Sequence, residues 1–120
     1  MTTEPSSPAA HPQAWLTTIA AGEAATRGRA PAFATLIAHG SMTVEYYAPE
    51  GIDPQQPHRQ DELYVIAAGT GTFFKAGERR PFGPGDVIFV EAGLEHRFEN
   101  FTPDFATWVI FWGPDGGEKP

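Results

Sequence analysis

Two histidines and one glutamate in this chain have the types and spacing of a metal site. His58 lies four residues before Glu62, and His96 follows in a later segment of the chain. Two imidazoles and one carboxylate bind a divalent transition metal and leave coordination positions open for other ligands. The segments that separate these residues have strand-like patterns and Gly-rich turns, so we expect the three side chains to converge inside a β-barrel.

The composition is that of one small β domain. The 120 residues suffice for a single core, and 13 Gly with 12 Pro are typical of short strands joined by tight turns. The chain has no cysteine, so a metal would use His, carboxylate, amide or water. A net charge of −7 argues against nucleic acid and anionic membranes as partners.

No targeting or membrane-spanning signal stands out in the sequence. No apolar run approaches the length of a transmembrane helix. Residues 1–5 have no basic region followed by an apolar stretch, so no signal peptide is predicted. We therefore expect a cytoplasmic location.

The periodicity of the apolar residues divides the chain into four parts. Residues 1–12 lack periodicity and are predicted to form a flexible N-terminal tail. Residues 13–25, with Trp15, Leu16 and Ile19 at helical spacing, predict a short amphipathic helix. The β domain is predicted at 33–112 and a C-terminal tail at 113–120. Within the domain, strands are expected at 33–38, 42–47, 62–68, 72–75, 87–90, 96–101 and 105–112, with turns at 76–78 and 81–85.

The last predicted strand is apolar on both faces. Trp108, Ile110 and Trp112 alternate with Val109 and Phe111, a pattern of strands that are covered on both sides. One cover would be a second subunit, through sheet packing or exchange of edge strands, which predicts a homodimer. The other would be the N-terminal helix of the same chain.

Residues 33–112 resemble the cupin superfamily. The first cupin motif has two His residues, a Glu and, seven residues after the Glu, a Gly. Here Glu62 lies seven residues before Gly69, and His58 stands where the second His of the motif belongs. Gln56 occupies the position of the first His.

The second cupin motif is also recognisable. Gly85, Gly93, His96 and Asn100 fall at its spacing, and Glu91 stands where the family has a Pro. Glu91 is either a solvated residue or a carboxylate that orients His96.

The resemblance implies an all-β fold, the double-stranded β-helix or jelly-roll barrel, together with the short N-terminal helix. It also implies a divalent transition metal, Fe, Mn, Ni or Zn, held by His58, Glu62 and His96. Gln56 is a fourth candidate, although an amide is a weaker ligand than an imidazole. Homodimers are common in the superfamily, which supports the predicted homodimer.

Strand alternation suggests which side chains would surround the metal. If Glu62 points inward, Tyr64 and Ile66 do so too, and Phe98 follows His96. Phe89, on a neighbouring strand, is expected to complete an aromatic cavity. Such a cavity suits a small organic ligand with metal-chelating oxygens, and Tyr64 is a candidate proton donor or relay. The alternative is that these aromatic residues only fill the core.

Three functions remain open at this stage. A metal-dependent oxygenase would act on a small organic acid, phenol or diketone chelated by the metal. A non-catalytic module would bind or sense a small molecule or a metal, which the loss of the first motif His favours. A sugar isomerase or epimerase would use a His base paired with a Tyr. All three imply a small-molecule partner.

Overall fold

The structure, a computed structural model, describes residues 14–120, so the predicted tail at 1–12 lies outside the described residues. Within the described part of the chain, no helix is long and apolar enough to cross a membrane. One helix precedes eight strands: α1 (Ile19–Thr26), β1 (Phe33–His39), β2 (Met42–Tyr47), β3 (Asp61–Ala68), β4 (Gly71–Lys75), β5 (Glu78–Phe82), β6 (Val87–Val90), β7 (His96–Glu99) and β8 (Ala106–Trp112).

The strands form two antiparallel sheets that enclose the core. The larger sheet has the order β1-β2-β8-β3-β6, and the smaller one has the order β5-β4-β7. The core consists mainly of aromatic and β-branched side chains from both sheets, which suit the pleated, half-buried surface of a strand. The predicted all-β class with one short N-terminal helix is confirmed.

Strand β3 carries the central buried row of the larger sheet. Glu62, Tyr64 and Ile66 alternate along it, and each is at most 2% exposed. Glu62 pairs with Val90 of β6, and Tyr64 pairs with Ile88. Since paired residues share a face of the sheet, Ile88 and Val90 are the inward residues of β6.

Phe89 consequently lies on the outer face and is 43% exposed, so its predicted place in the interior cavity is wrong. Val87 lies on the same outer face as Phe89, since the two pair with Val65 and Leu63 of β3. All four residues of β6 are apolar, and only the register against β3 fixes which two of them point inward.

The helix begins later than predicted. Thr18 caps it, and its hydroxyl oxygen accepts a hydrogen bond from the N–H of Ala21 at 3.1 Å. Trp15 and Leu16 precede this cap and are 78% and 66% exposed. The apolar spacing therefore predicted a helix that starts too early, because the N-cap residue determines where the first turn begins.

Helix α1 covers one end of the larger sheet. It packs on β1 and β2 and approaches closely through Gly22, where a Cβ atom would lie only 2.5 Å from the ring of Tyr46. The helix thus covers part of the outer face. This agrees with the prediction that the N-terminal helix of the same chain, rather than a second subunit, covers that face. The helix leaves the β3–β6 end of that face, including Val87 and Phe89, exposed.

Strand β5 was not predicted. Residues 78–80 are charged and Pro81 follows them, which lowers the strand signal, and only turns are predicted there. An edge strand tolerates a proline because it does not need every ladder N–H, and β5 is the edge of the smaller sheet. Strand β7 ends two residues earlier than predicted, since Asn100 has a φ of +51°, in the left-handed region.

Candidate metal centre

Three side chains from different parts of the chain meet between the two sheets. Glu62 comes from β3, His96 from β7, and His58 from the loop that precedes β3. Their candidate ligand atoms all lie within 4.8 Å of one another. Oε1 of Glu62 is 2.9 Å from Nε2 of His96 and 3.7 Å from Nε2 of His58. The structure thus brings together the three residues that the sequence singled out.

The hydrogen bonds of His96 leave one ring nitrogen for a metal. Its Nδ1 donates to the carbonyl oxygen of Leu94 at 2.9 Å, which leaves Nε2 as the lone-pair nitrogen of the neutral ring. In this tautomer the buried Nε2 faces Oε1 of Glu62 at 2.9 Å without a proton between the two atoms. Among the described residues, Oε2 of Glu62 also has no hydrogen-bond partner. Unpaired buried acceptors are costly, and one cation beside both atoms would offset that cost. The residues therefore fit a divalent transition metal.

The charge of Glu62 acts on both imidazoles. Burial disfavours the charged form of His96, but the Glu62 carboxylate and the Leu94 carbonyl outweigh it, so the pKa of His96 is raised. Burial lowers the pKa of His58, and Glu62 offsets this only in part. The lowered pKa keeps His58 in the neutral form that coordinates metals. The carboxylate of Glu62 beside it would attract the positive charge of a bound metal ion.

The amide beside the metal ligands is Gln55, not Gln56. The side chain of Gln56 is exposed, which does not support its expected role as a fourth ligand. Oε1 of Gln55 lies 3.0 Å from Nε2 of His58 and accepts a hydrogen bond from the hydroxyl of Tyr64 at 2.9 Å. The motif spacing pointed to the wrong one of two adjacent glutamines, because a loop has no alternation that fixes side-chain direction.

A buried carboxylate that the sequence analysis missed holds this loop in place. Asp53 accepts hydrogen bonds from the hydroxyl of Tyr47 at 2.6 Å and from Nε2 of Gln55 at 2.7 Å. It also accepts one from the backbone N–H of Phe98 at 2.9 Å, and the N–H of Gln55 adds a fourth at 3.3 Å. Asp53 thereby fixes the loop to β2 and β7 and orients Gln55 toward His58.

Tyr64 lies beside the candidate metal ligands, with its ring centroid 6.1 Å from that of His96. Its side chain is fully buried, and its ring contacts Phe98 at a centroid distance of 4.8 Å. Burial, and then the charge of Glu62, raise the pKa of Tyr64 well above its usual value. Tyr64 therefore keeps its proton and acts as a hydrogen-bond donor. Ile66 and Phe98 belong to the hydrophobic core. This agrees with the alternative prediction that these side chains only fill the core.

Glu91, at the position where cupins have a proline, takes no part in the site. Its exposed carboxylate pairs with Nζ of Lys75 at 2.7 Å. The Leu94 carbonyl, not Glu91, orients the ring of His96, so Glu91 is a solvated surface residue.

A cavity of about 220 Å³ adjoins His58 and opens between the loop and strands β1, β2 and β8. Its walls are mostly apolar, and Glu45 is its one carboxylate. A larger cleft of about 490 Å³ lies elsewhere and contains none of the three metal ligands. Of these two cavities, only the smaller one is bordered by a candidate metal ligand, His58. Its polar and aromatic lining consists of Phe33, Glu45, Tyr47, Gln55, His58 and Phe111.

The fold and these residues define the class of protein. Residues 43–112 match the cupin domain family, and the chain belongs to that family. Its barrel is the double-stranded β-helix that the sequence motifs implied.

Known proteins resemble the chain over most of its length. An uncharacterized protein of Streptomyces coelicolor is 30% identical over 86 residues, which cover 70% of this chain and 82% of that protein. A cupin 2 conserved barrel domain protein from Salinispora arenicola shares the fold with a TM-score of 0.59 at 21% identity, over 68% of this chain and 75% of the other. The DMSP lyase DddQ from Ruegeria pomeroyi is 28% identical with a TM-score of 0.59, over 68% of this chain and 46% of DddQ.

Proposed function

We propose that this cupin is a metal-dependent enzyme, an oxygenase, that acts on a small organic substrate in the cavity beside His58. The observation that supports the proposal is a buried cluster of acceptor atoms: Nε2 of His96 faces Oε1 of Glu62 at 2.9 Å, and neither this Nε2 nor Oε2 of Glu62 makes a hydrogen bond within the described part of the chain. They belong to a set of two histidines and one carboxylate, of which His58 borders the cavity.

The chemistry of the ligand set favours an oxygenase. His58, Glu62 and His96 would hold the metal, and two histidines with one carboxylate are the ligand set of non-haem Fe(II) oxygenases. Mn, Ni and Zn suit the same ligands. A bound ion of this kind supplies open positions and Lewis acidity for a chelating substrate. The mostly apolar walls exclude water, while Tyr64 and Gln55 form a hydrogen-bonded pair beside His58.

A metal-dependent lyase is the second candidate. The observation that favours it is the likeness to the lyase DddQ, at 28% identity over 68% of this chain. A lyase would use the same three ligands and the same cavity but would not consume O₂. The two candidates therefore differ in one measurable quantity.

Oxygen uptake tests the proposal. Metal-free protein would be loaded anaerobically with Fe(II) and mixed with small organic acids, phenols and diketones in an oxygen electrode, with product analysis by mass spectrometry. We expect O₂ consumption that depends on a substrate and is absent from Glu62→Gln. Product formation without O₂ uptake would overturn the oxygenase in favour of the lyase. Bound metal without turnover would leave a binding or sensing module, and turnover without metal would indicate an isomerase.

We also propose that two copies pair through the outer face of the larger sheet. Val87 and Phe89 are 60% and 43% exposed there, and Phe89 lies 6.2 Å from the ring of Trp112. Exposed apolar patches of this kind mark protein contacts. An isologous contact between two such faces would close a dimer.

The substitution Phe89→Glu is expected to convert this dimer into a monomer, because it places a charge at the centre of an apolar contact. Size-exclusion chromatography with light scattering should give twice the 13.0 kDa chain mass for the wild type and the single mass for the variant. Ile52→Glu is the matched control, since Ile52 is 73% exposed on a loop outside the sheet. A wild-type protein with the mass of one chain would contradict the proposed dimer.

A further inference from the structure

We propose that Glu45 makes the cavity beside His58 selective for a small zwitterion, with its cationic group at Glu45 and its carboxylate toward the metal ligands. This inference rests on the metal site of the proposed function and names the class of ligand that the site takes.

Strand register places Glu45 on the same inner face as the metal ligands. Glu45 of β2 pairs with Val109 of β8, and Val109 pairs in turn with Tyr64 of β3. Paired residues point to the same side of a sheet, and Val109 and Tyr64 are both buried. The carboxyl group of Glu45 therefore points into the barrel, two strands away from Tyr64, and lines the cavity together with His58.

Within residues 14–120, no lysine or arginine neutralises this carboxylate in the cavity. Neither Lys nor Arg is among the residues that line it. The carboxylate of Glu45 accepts a long hydrogen bond, 3.4 Å, from the hydroxyl of Thr43. Burial raises the pKa of Glu45, which the hydroxyl groups of Thr43 and Thr35 offset only in part. A half-buried carboxylate without a counter-charge is costly, and a cationic ligand would offset that cost.

The walls around Glu45 suit an organic cation better than a hydrated inorganic one. Phe33, Tyr47 and Phe111 line the same cavity, and aromatic rings attract alkylammonium groups through their negative faces. Aromatic rings beside a carboxylate combine this attraction with charge pairing. The structure thus offers a site for an ammonium or another onium group at the Glu45 side of the cavity.

The His58 side of the cavity would bind the anionic group of the ligand. His58 borders both the cavity and the cluster of ligand atoms, and a bound divalent ion would prefer an oxygen donor there. The volume of about 220 Å³ is below the ~300–1,000 Å³ of pockets for drug-sized ligands. A ligand with a cation at one end, a carboxylate at the other and only a few carbons between them fits these limits.

The test compares two molecules of nearly the same shape that differ in charge. Glycine betaine has a quaternary nitrogen where 3,3-dimethylbutanoate has a neutral quaternary carbon. Isothermal titration of Zn(II)-loaded wild-type protein should show that betaine binds about tenfold or more tightly than its neutral analogue. In Glu45→Gln, which keeps the side-chain shape, the preference should disappear. Glu50→Gln, which changes an exposed carboxylate of the loop after β2, should keep it.

Equal affinity of the wild-type protein for both molecules would overturn the proposal, and this comparison does not depend on the folding of any variant. Tetramethylammonium, titrated into metal-free protein, separates this inference from the metal site. If tetramethylammonium binds in a manner that requires Glu45 while no metal binds, the cation site stands and the proposed metal-dependent function fails. If a metal binds but Glu45→Gln keeps the wild-type preference for betaine, the metal site stands and the role of Glu45 is refuted.

Discussion

The substitution His96→Ala is expected to remove metal binding, from about one ion per chain to a level near zero. His96 contributes a fully buried ring whose Nε2 lies 2.9 Å from Oε1 of Glu62. Its loss would leave only His58 and Glu62 to hold the ion. Since even the loss of a group that only orients a ligand costs ~10–100-fold in metal affinity, the loss of a ligand should cost at least that much. Elemental mass spectrometry on protein reloaded with Fe(II), Mn(II), Ni(II) or Zn(II) measures it.

The matched control for this prediction is His39→Ala. His39 is exposed at the end of β1 and lies outside the cluster of ligand atoms, so the variant should retain the full metal content. A thermal unfolding transition in both variants would show that each is folded. A folded His96→Ala protein that binds as much metal as the wild type would contradict the assignment of His96 as a ligand.

The substitution Asp53→Ala is expected to lower the free energy of unfolding by about 3 kcal/mol or more. Asp53 is 8% exposed and accepts hydrogen bonds from the Tyr47 hydroxyl, the Phe98 N–H and Gln55. Alanine would leave the first two donors buried without a partner, and each such donor costs roughly 1–3 kcal/mol. Urea denaturation followed by tryptophan fluorescence gives the free energy of unfolding.

Asp115→Ala is the control for this loss, because it removes a carboxylate that is 73% exposed and pairs with Arg59 only at 3.7 Å. Exposed ion pairs contribute about 0–1 kcal/mol, so this variant should be close to the wild type. If Asp53→Ala were no less stable than Asp115→Ala, the buried hydrogen bonds of Asp53 would not be what fixes the loop.

Three acidic residues give the metal centre and the adjoining cavity a negative electrostatic potential. Glu62 lies among the ligand atoms, Asp53 is buried behind Gln55, and Glu45 lines the cavity. With no Lys or Arg along the cavity walls, the negative potential is not neutralised locally. Apolar walls strengthen such a potential, so the site should attract a metal ion at one end and an organic cation at the other.

Much of the site was predictable from the sequence because two regularities constrain it. The cupin motifs identify His58, Glu62 and His96, and the period of two along a strand brings Tyr64 and Ile66 to the same face as Glu62. The period of two applies to the strand residues, where the backbone fixes the direction of each side chain. His58 lies in the loop before β3 and is identified by the motif spacing alone.

The remaining features depend on contacts between distant segments. The register of β6 against β3 decides that Phe89 points outward, and the sequence of an all-apolar strand does not reveal it. The loop before β3 places Gln55 rather than Gln56 beside His58 because Asp53 fixes it to Phe98, which lies 45 residues further along the chain. Glu45 enters the cavity only through the pairing of β2 with β8. Local patterns do not encode such long-range pairings.

The central claim is that His58, Glu62 and His96 together hold one divalent metal ion. It is tested most directly by an anomalous-difference map from a crystal of the protein loaded with Mn(II) or Zn(II). We predict a single strong peak in contact with a ring nitrogen of His58, with Nε2 of His96 and with the carboxylate of Glu62. A crystal of the loaded protein with no peak among these three side chains, or with its peaks only at surface residues, would contradict the claim.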